Sequence, residues 1–87
     1  MADVHLPPTL PSLYADLPRR LDVEAATVEE AIERLDERWP GLRDRLCEPG
    51  PVLRTHINVY VDRERADLET PLGAGSRVDV IAAISGG

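Results

Sequence analysis

One stretch of this 87-residue chain repeats with a helical period, and the rest alternates or breaks. Val28, Ala31, Ile32, Leu35 and Trp39 recur at helical spacing and make one apolar stripe. Thr27-Val28-Glu29-Glu30 reads as a capping box. The Thr27 hydroxyl is placed to accept the Glu30 amide, and the Glu30 carboxylate to reach back. Glu30 and Arg34 have the spacing of an i,i+4 ion pair, and Pro40-Gly41 stops the helix. Leu42 and Leu46 extend as a short further turn through Cys47. A lone amphipathic helix must bury its stripe against something, and what remains is strand-like. This predicts an α+β chain with a sheet packed on one main helix.

The strand signals lie on both sides of the helix. Asp3–Leu6 and Arg19–Glu24 alternate, the second with Leu21 and Val23 inward, which suggests a hairpin. Between them, the proline-rich connection from Pro7 to Pro18 carries Leu10, Leu13, Tyr14 and Leu17, so it is expected to pack back on the domain. After the helix, Glu48-Pro49-Gly50-Pro51 is a loop. Arg54–Val61 reads as a strand with Ile57, Val59 and Val61 on one face and His56, Asn58 and Tyr60 on the other. Asp62-Arg63 reads as a tight turn and Glu64–Leu68 as a short return strand. In the last strand Val78, Val80, Ala82 and Ile84 face one way, and Arg77, Asp79, Ile81 and Ala83 the other. Apolar residues occur on both faces beyond Asp79, so this strand is expected at the sheet's centre. The order is strand, strand, helix, strand, strand, strand, with the helix stripe, Leu21, Val23, Ile57, Val59, Val61, Val78 and Val80 supplying the core.

The apolar pattern runs to Ile84 and only Ser85, Gly86 and Gly87 follow. Two residues without side chains make a peptide end thin enough to thread into a narrow partner channel. Such an end presents one functional group, the α-carboxylate of Gly87. Four extended residues, Ile84 to Gly87, reach roughly 13–14 Å at about 3.3–3.6 Å each. The reading is a single domain over residues 1–87 with residues 84–87 protruding as a tail.

Composition narrows the function classes. A chain of this size hides about 60–65% of its unfolded surface, which leaves little room for an enclosed active site. The net charge is −6, from 10 basic and 16 acidic residues, and this argues against a nucleic-acid binder. A basic partner surface is the natural complement. All ten basic residues are arginine. A biased genome accounts for that most simply; the functional alternative is that an activated carrier gains from having no amine to modify. Cys47 is the one cysteine, so no internal disulfide forms. Neither a signal segment nor a membrane-spanning run is legible, and the expectation is a soluble cytoplasmic protein.

With these elements in place the sequence resembles the MoaD/ThiS family of ubiquitin-like sulfur carriers, which have a β-grasp fold: a mixed sheet of about five strands packed on one main helix. The element order is the family's. Thr27-Val28-Glu29-Glu30-Ala31-Ile32 resembles its "T-V-x-x-h-h" helix opening, h being apolar, and Asn58-Val59-Tyr60-Val61-Asp62 resembles its "V-N" strand and turn. Gly75-Ser76-Arg77-Val78-Asp79-Val80-Ile81-Ala82-Ala83-Ile84-Ser85-Gly86-Gly87 is close to a "G-D-x-V-x-h-h-P-x-h-x-G-G" ending. Two departures stand out: Ser76 where an acidic residue is common, and Ala82 where proline is usual. The middle strand and the ending look somewhat closer to carriers serving cysteine biosynthesis than to typical molybdopterin synthase small subunits.

The resemblance implies a mechanism. The Gly87 carboxylate is anionic at neutral pH and a poor electrophile. The family's route is activation by an E1-like adenylating enzyme of the MoeB/ThiF type, which uses ATP and magnesium. A sulfur nucleophile then displaces AMP to leave a C-terminal thiocarboxylate. A second enzyme takes the sulfur; molybdopterin synthase large subunit, cysteine synthase and thiazole synthase are the candidates. On this reading Gly87 and Gly86 are the reacting end, and Ile84, Ser85, Ile81, Tyr60 and His56 the partner-binding set. The chain binds no cofactor, metal, nucleic acid or membrane, and acts as a carrier or subunit with no catalytic site of its own.

Two other classes stay open: a ubiquitin-like modifier joined through Gly87 to lysines, and an interaction module with an inert end. Cys47 reads first as a small buried apolar residue and only second as a participant in sulfur transfer. His56 reads as a strand residue on the outer face, with partner contact the alternative. His5 and His56 lack metal-ligand spacing among the carboxylates. Arg19-Arg20 and Arg43/Arg45 read as solvated.

Overall fold

A computed structural model describes residues 1–8, 14 and 16–82. The readings made for Leu10, Leu13, Ala83, Ile84, Ser85, Gly86 and Gly87 lie outside the described residues. In chain order the elements are β1 (Ala2–His5), β2 (Arg20–Val23), α1 (Val28–Arg38), α2 (Leu42–Leu46), β3 (Cys47–Glu48), β4 (Val52–Leu53), β5 (Ile57–Val61), β6 (Glu64–Ala66) and β7 (Arg77–Ala82). Five strands make a mixed sheet in the order β2-β1-β7-β5-β6, and β3 and β4 form a separate two-stranded ribbon. This is the β-grasp, ubiquitin-like fold. None of the described helices is long and apolar enough to cross a membrane.

β7 sits at the centre, as its two-faced apolar pattern predicts. It runs parallel to β1 with Val4 opposite Val78, and antiparallel to β5 with Val59 opposite Val80. β1 in turn pairs antiparallel with β2, and β5 with β6. Asp62 and Arg63 take φ of 50° and 73°, the left-handed pair that a two-residue hairpin turn requires between twisted strands.

The start of α1 follows the capping box closely. Thr27 Oγ1 accepts the Glu30 amide at 3.2 Å, while the Glu30 carboxylate accepts the Ala26 amide at 3.1 Å, one residue before the cap. The i,i+4 pair of Glu30 with Arg34 is not made. Glu30 is held by the cap, and Arg34 turns to Glu37 at 3.5 Å. At the other end Trp39 is buried as the last member of the stripe, and its Nε1–H donates to Asp16 at 3.0 Å. Asp36 Oδ1 then accepts the amides of both Gly41 and Arg43 at 3.0 Å, which fastens α2 to α1.

The stripe lies on the face of the sheet carrying Ala2, Val4, Val23, Ile57, Val59, Val61, Val78 and Val80, all buried. Leu21 is half-buried, because β2 is an edge strand beyond full cover by the helix. Leu42, Leu46 and Cys47 from α2 and β3 join the core, as does Leu17 from the proline-rich connection. Ser76, one of the two family departures, is buried and closes its own turn: its Oγ accepts the Gly73 amide at 2.9 Å. Its carbonyl accepts the Asp3 amide at 2.8 Å and so starts the pairing of β1 with β7.

The expected strand from Arg54 to Val61 begins only at Ile57. Arg54 N–H donates to the Leu46 carbonyl at 2.9 Å, and Ile57 N–H donates to the Arg54 carbonyl at 2.9 Å, which folds 54–57 into a turn. The return strand likewise stops at Ala66, since the Asp67 and Thr70 side chains bond within 67–70. Leu35 is fully buried at the centre of the stripe. Leu35→Ala is expected to lower unfolding stability by about 2–5 kcal/mol through lost burial and a residual cavity, read from urea melts.

Candidate functional site

The face of the sheet away from α1 carries Arg20, Asp22, Asp3, His5, Arg77, Asp79, Ile81, Asn58, Tyr60 and Arg65, by strand alternation. Most of these side chains neutralise one another. Asp3 accepts Arg20 Nε–H at 2.9 Å and Nη2 at 3.1 Å, and His5 Nε2 lies 3.1 Å from it. Hydrogen bonding from Arg20 first, and from His5 second, holds the Asp3 carboxyl below its ordinary value. Arg77 grips both oxygens of Asp79 at 3.0–3.2 Å, and this bond raises the Arg77 guanidinium above its usual value. Arg65 Nη2 donates to Asn58 Oδ1 at 3.1 Å. Arg20 is therefore tied into a pair rather than simply solvated.

Ile81 interrupts this polar lattice. It is 46% exposed, near the end of β7, directly opposite Asn58. Tyr60 is half-buried two pairs along, opposite Asp79. The structure thus brings Ile81 and Tyr60 onto one outward face next to the end of β7, as expected. His56 is not on that face. It is exposed in the turn before β5, so its reading as a strand residue is corrected. Ile84, Ser85, Gly86 and Gly87 lie outside the described residues. Ala82, the second departure, stays in the ladder opposite Ile57.

His56 instead borders an open cleft of about 750 Å³ together with Tyr14, Gly41, Asp44, Arg45 and Arg54. The cleft joins the proline-rich connection, the start of α2 and the turn before β5. Since Ile57 pairs with Ala82, it lies at the end of the sheet where β7 finishes. Arg54 Nε–H donates to the Asp44 carbonyl at 2.7 Å, which holds the guanidinium across α2. Sequence reasoning missed this group because its members are spread from Tyr14 to His56. The available signal was a run of arginines beside Pro/Gly breakers in an otherwise acidic chain.

Cys47 is buried, and desolvation is the main cause raising its thiol above the usual value. A buried neutral thiol is a poor nucleophile. Among the described residues no cluster of His, Cys, Asp or Glu could hold a metal ion.

Comparison with known proteins places these features in a wider set. The ThiS family model matches residues 13–87. No curated protein matches by sequence. The fold matches a chain in the Amycolatopsis orientalis BexX/CysO complex with a TM-score of 0.88 and 27% identity, covering 100% of both chains. Small archaeal modifier protein 1 from Haloferax volcanii gives a TM-score of 0.77 at 30% identity, covering 99% of this chain and 98% of the other. Mycobacterium tuberculosis CysO gives 0.84 at 23% identity, over 97% of this chain and 100% of that one, a likeness of fold.

Two measurements check the site's chemistry. Cys47 is expected to resist a thiol-reactive dye at neutral pH in the native protein and to react completely in denaturing urea. Asp3, with its folded pKa depressed below the ordinary 3.8, contributes stability that is present above that value and lost as pH falls through its folded pKa. Acid titration of Asp3→Asn, followed by thermal melting, should show a shallower loss of stability below about pH 4 than the wild type.

Proposed function

The chain belongs to the ThiS family, and on that premise we propose that it is a sulfur carrier charged at the α-carboxylate of Gly87. The observation that carries the reading is the family match running through Ser85-Gly86-Gly87, on a fold whose central strand is described to Ala82, three residues before Ser85 in the sequence. The reacting end would then be Gly86 and Gly87. An ATP- and magnesium-using E1-like enzyme would join the carboxylate oxygen to the α-phosphorus of ATP and release pyrophosphate. A sulfur nucleophile would attack the acyl carbon and release AMP, leaving sulfur in place of one carboxylate oxygen. The domain itself supplies no acid, base or metal to these steps; it presents the acyl group and docks.

The outward face around Ile81 and Tyr60 suits the docking. Docked there, a partner would meet one exposed aliphatic side chain among paired charges, and it would sit within a few residues of the reacting end. Ile84 and Ser85 would line the entry to its pocket. The solved complex of BexX with CysO supports a partner enzyme for such a carrier. A sulfur-accepting biosynthetic enzyme is the second partner, with cysteine biosynthesis the favoured destination over molybdopterin and thiazole formation.

The likeness to small archaeal modifier protein 1 supports a second reading, a modifier joined through Gly87 to lysines of other proteins. Intact mass separates the two. Incubation with the adenylating enzyme, ATP and a sulfur source should replace one oxygen by sulfur on the free chain; lysine-linked adducts on other proteins would favour the modifier instead. A variant with one residue added after Gly87 is expected to show no adenylate at all. Adenylation of Gly87 in that variant would defeat the proposal.

A further inference from the structure

The charge of the molecule is unevenly placed along the sheet. At the end where β7 starts lie Glu24 after β2, Asp62 and Glu64 at the β5–β6 turn, and Asp67 and Glu69 beside the start of α1, all exposed. Arg63 is the exposed cation in that turn, while Arg77 is taken up by Asp79. At the other end, where β7 finishes, the exposed residues include Arg19, Arg45 and His56, with Arg54 half-buried. The placement follows from register. His5 is opposite Arg20, which puts Arg19 at the finishing end, and Ile57 is opposite Ala82, which puts Arg54 and His56 there too. Asp16, Asp44 and Glu48 also lie at the finishing end, so that end is mixed in charge, in contrast to the acidic end where β7 starts.

Within the finishing end the cleft of Tyr14, Gly41, Asp44, Arg45, Arg54 and His56 brings two arginines together in a concave site. Among the described residues no carboxylate lies within ion-pair distance of Arg45. Arg54 is anchored through Nε to a backbone carbonyl, and its Nη1 is 4.0 Å from Glu48, beyond hydrogen-bond reach. Its outer amines are thus pre-positioned and incompletely used. A fixed guanidinium fork beside a second one is a geometry that carboxylates fit. Asp44 is the acidic member of the wall, and its backbone carbonyl is what orients Arg54.

We propose that the Arg45–Arg54–His56 cleft seats an acidic segment of the partner protein that receives the C-terminal end, orienting the carrier as its end enters the partner. This rests on the carrier reading above. The cleft and the outward face around Ile81 border the same end of β7 but present different chemistry, one a concave site with two arginines, the other a single exposed aliphatic side chain among paired charges. Charge at such a rim acts chiefly by steering the encounter and fixing register. The acidic far end would turn away from the same partner, so one orientation is selected.

The test uses the full chain and acetylated hexaglutamate as the probe, followed by amide NMR shifts at low and moderate salt. Shifts should cluster at Arg45, Arg54 and His56 and weaken as salt rises. Arg45→Glu should weaken binding about fivefold or more, while Arg63→Glu, an equal charge change at the far end, should change it by less than about twofold. No binding, equal losses in the two variants, or shifts spread over both ends would overturn the proposal. Inorganic phosphate acting on the same amides as strongly as the peptide would overturn it as well, because the site would then serve a small anion. Deleting Gly86 and Gly87 should leave the peptide affinity unchanged, and a loss there would count against the cleft as the seat. A chain that binds the peptide but is never thiocarboxylated would remove the carrier reading and leave the acidic-segment site standing.

Discussion

The structure depends on β7 being paired on both sides. Its parallel ladder with β1 joins the first residues of the chain to the last described ones, and its antiparallel ladder with β5 brings in the second half of the sheet. Neither pairing is local, so both need the helix between the halves to cover the result. Val78 and Val80 lie buried beneath the α1 stripe with Val4 and Val59 on either side. Without β7 the two hairpins β1–β2 and β5–β6 would share no edge, and each alone is too small to be stable in water.

That central position also decides what the molecule can present. β7 is paired on both flanks as far as Asp79 and held by β5 alone to its last pair, Ala82 with Ile57. Whatever follows starts from a fixed point, and the neighbouring surfaces have fixed positions relative to it. An exposed aliphatic residue, Ile81, and a cleft with two arginines border this point. The rest of the outward face is nearly silent, because Asp3 with Arg20 and Asp79 with Arg77 satisfy one another. Paired charges cost a partner little in specificity and offer it little in affinity, which leaves Ile81 and the cleft arginines as the distinguishing features.

Legibility from the sequence followed the range of the forces involved. The start of α1 was readable because a capping box is a contact among four adjacent residues; the structure alters only which amide, that of Ala26, the Glu30 carboxylate accepts. The centrality of β7 was readable because burial on both faces leaves apolar residues at consecutive positions. The turn at Asp62-Arg63 was readable in place, although an arginine at φ 73° carries no sequence signal. The β3–β4 ribbon was not readable: four residues split by a breaker cluster give no period to detect. The early end of the expected Arg54–Val61 strand was equally hidden, since the Arg54 amide is captured by the distant Leu46 carbonyl.

By itself, then, the sequence determined the single covered helix, the alternating strands, the family resemblance and the glycine ending, all of which follow from local periodicity and local chemistry. Only the tertiary structure decided that His56 leaves the sheet face, that Arg20 is occupied by Asp3, and that Tyr14, Arg45 and Arg54 share one cleft beside the finish of β7. The physical reason is that strand register and helix packing bring together side chains forty residues apart, and charge becomes a site only once its neighbours in space, rather than in sequence, are fixed.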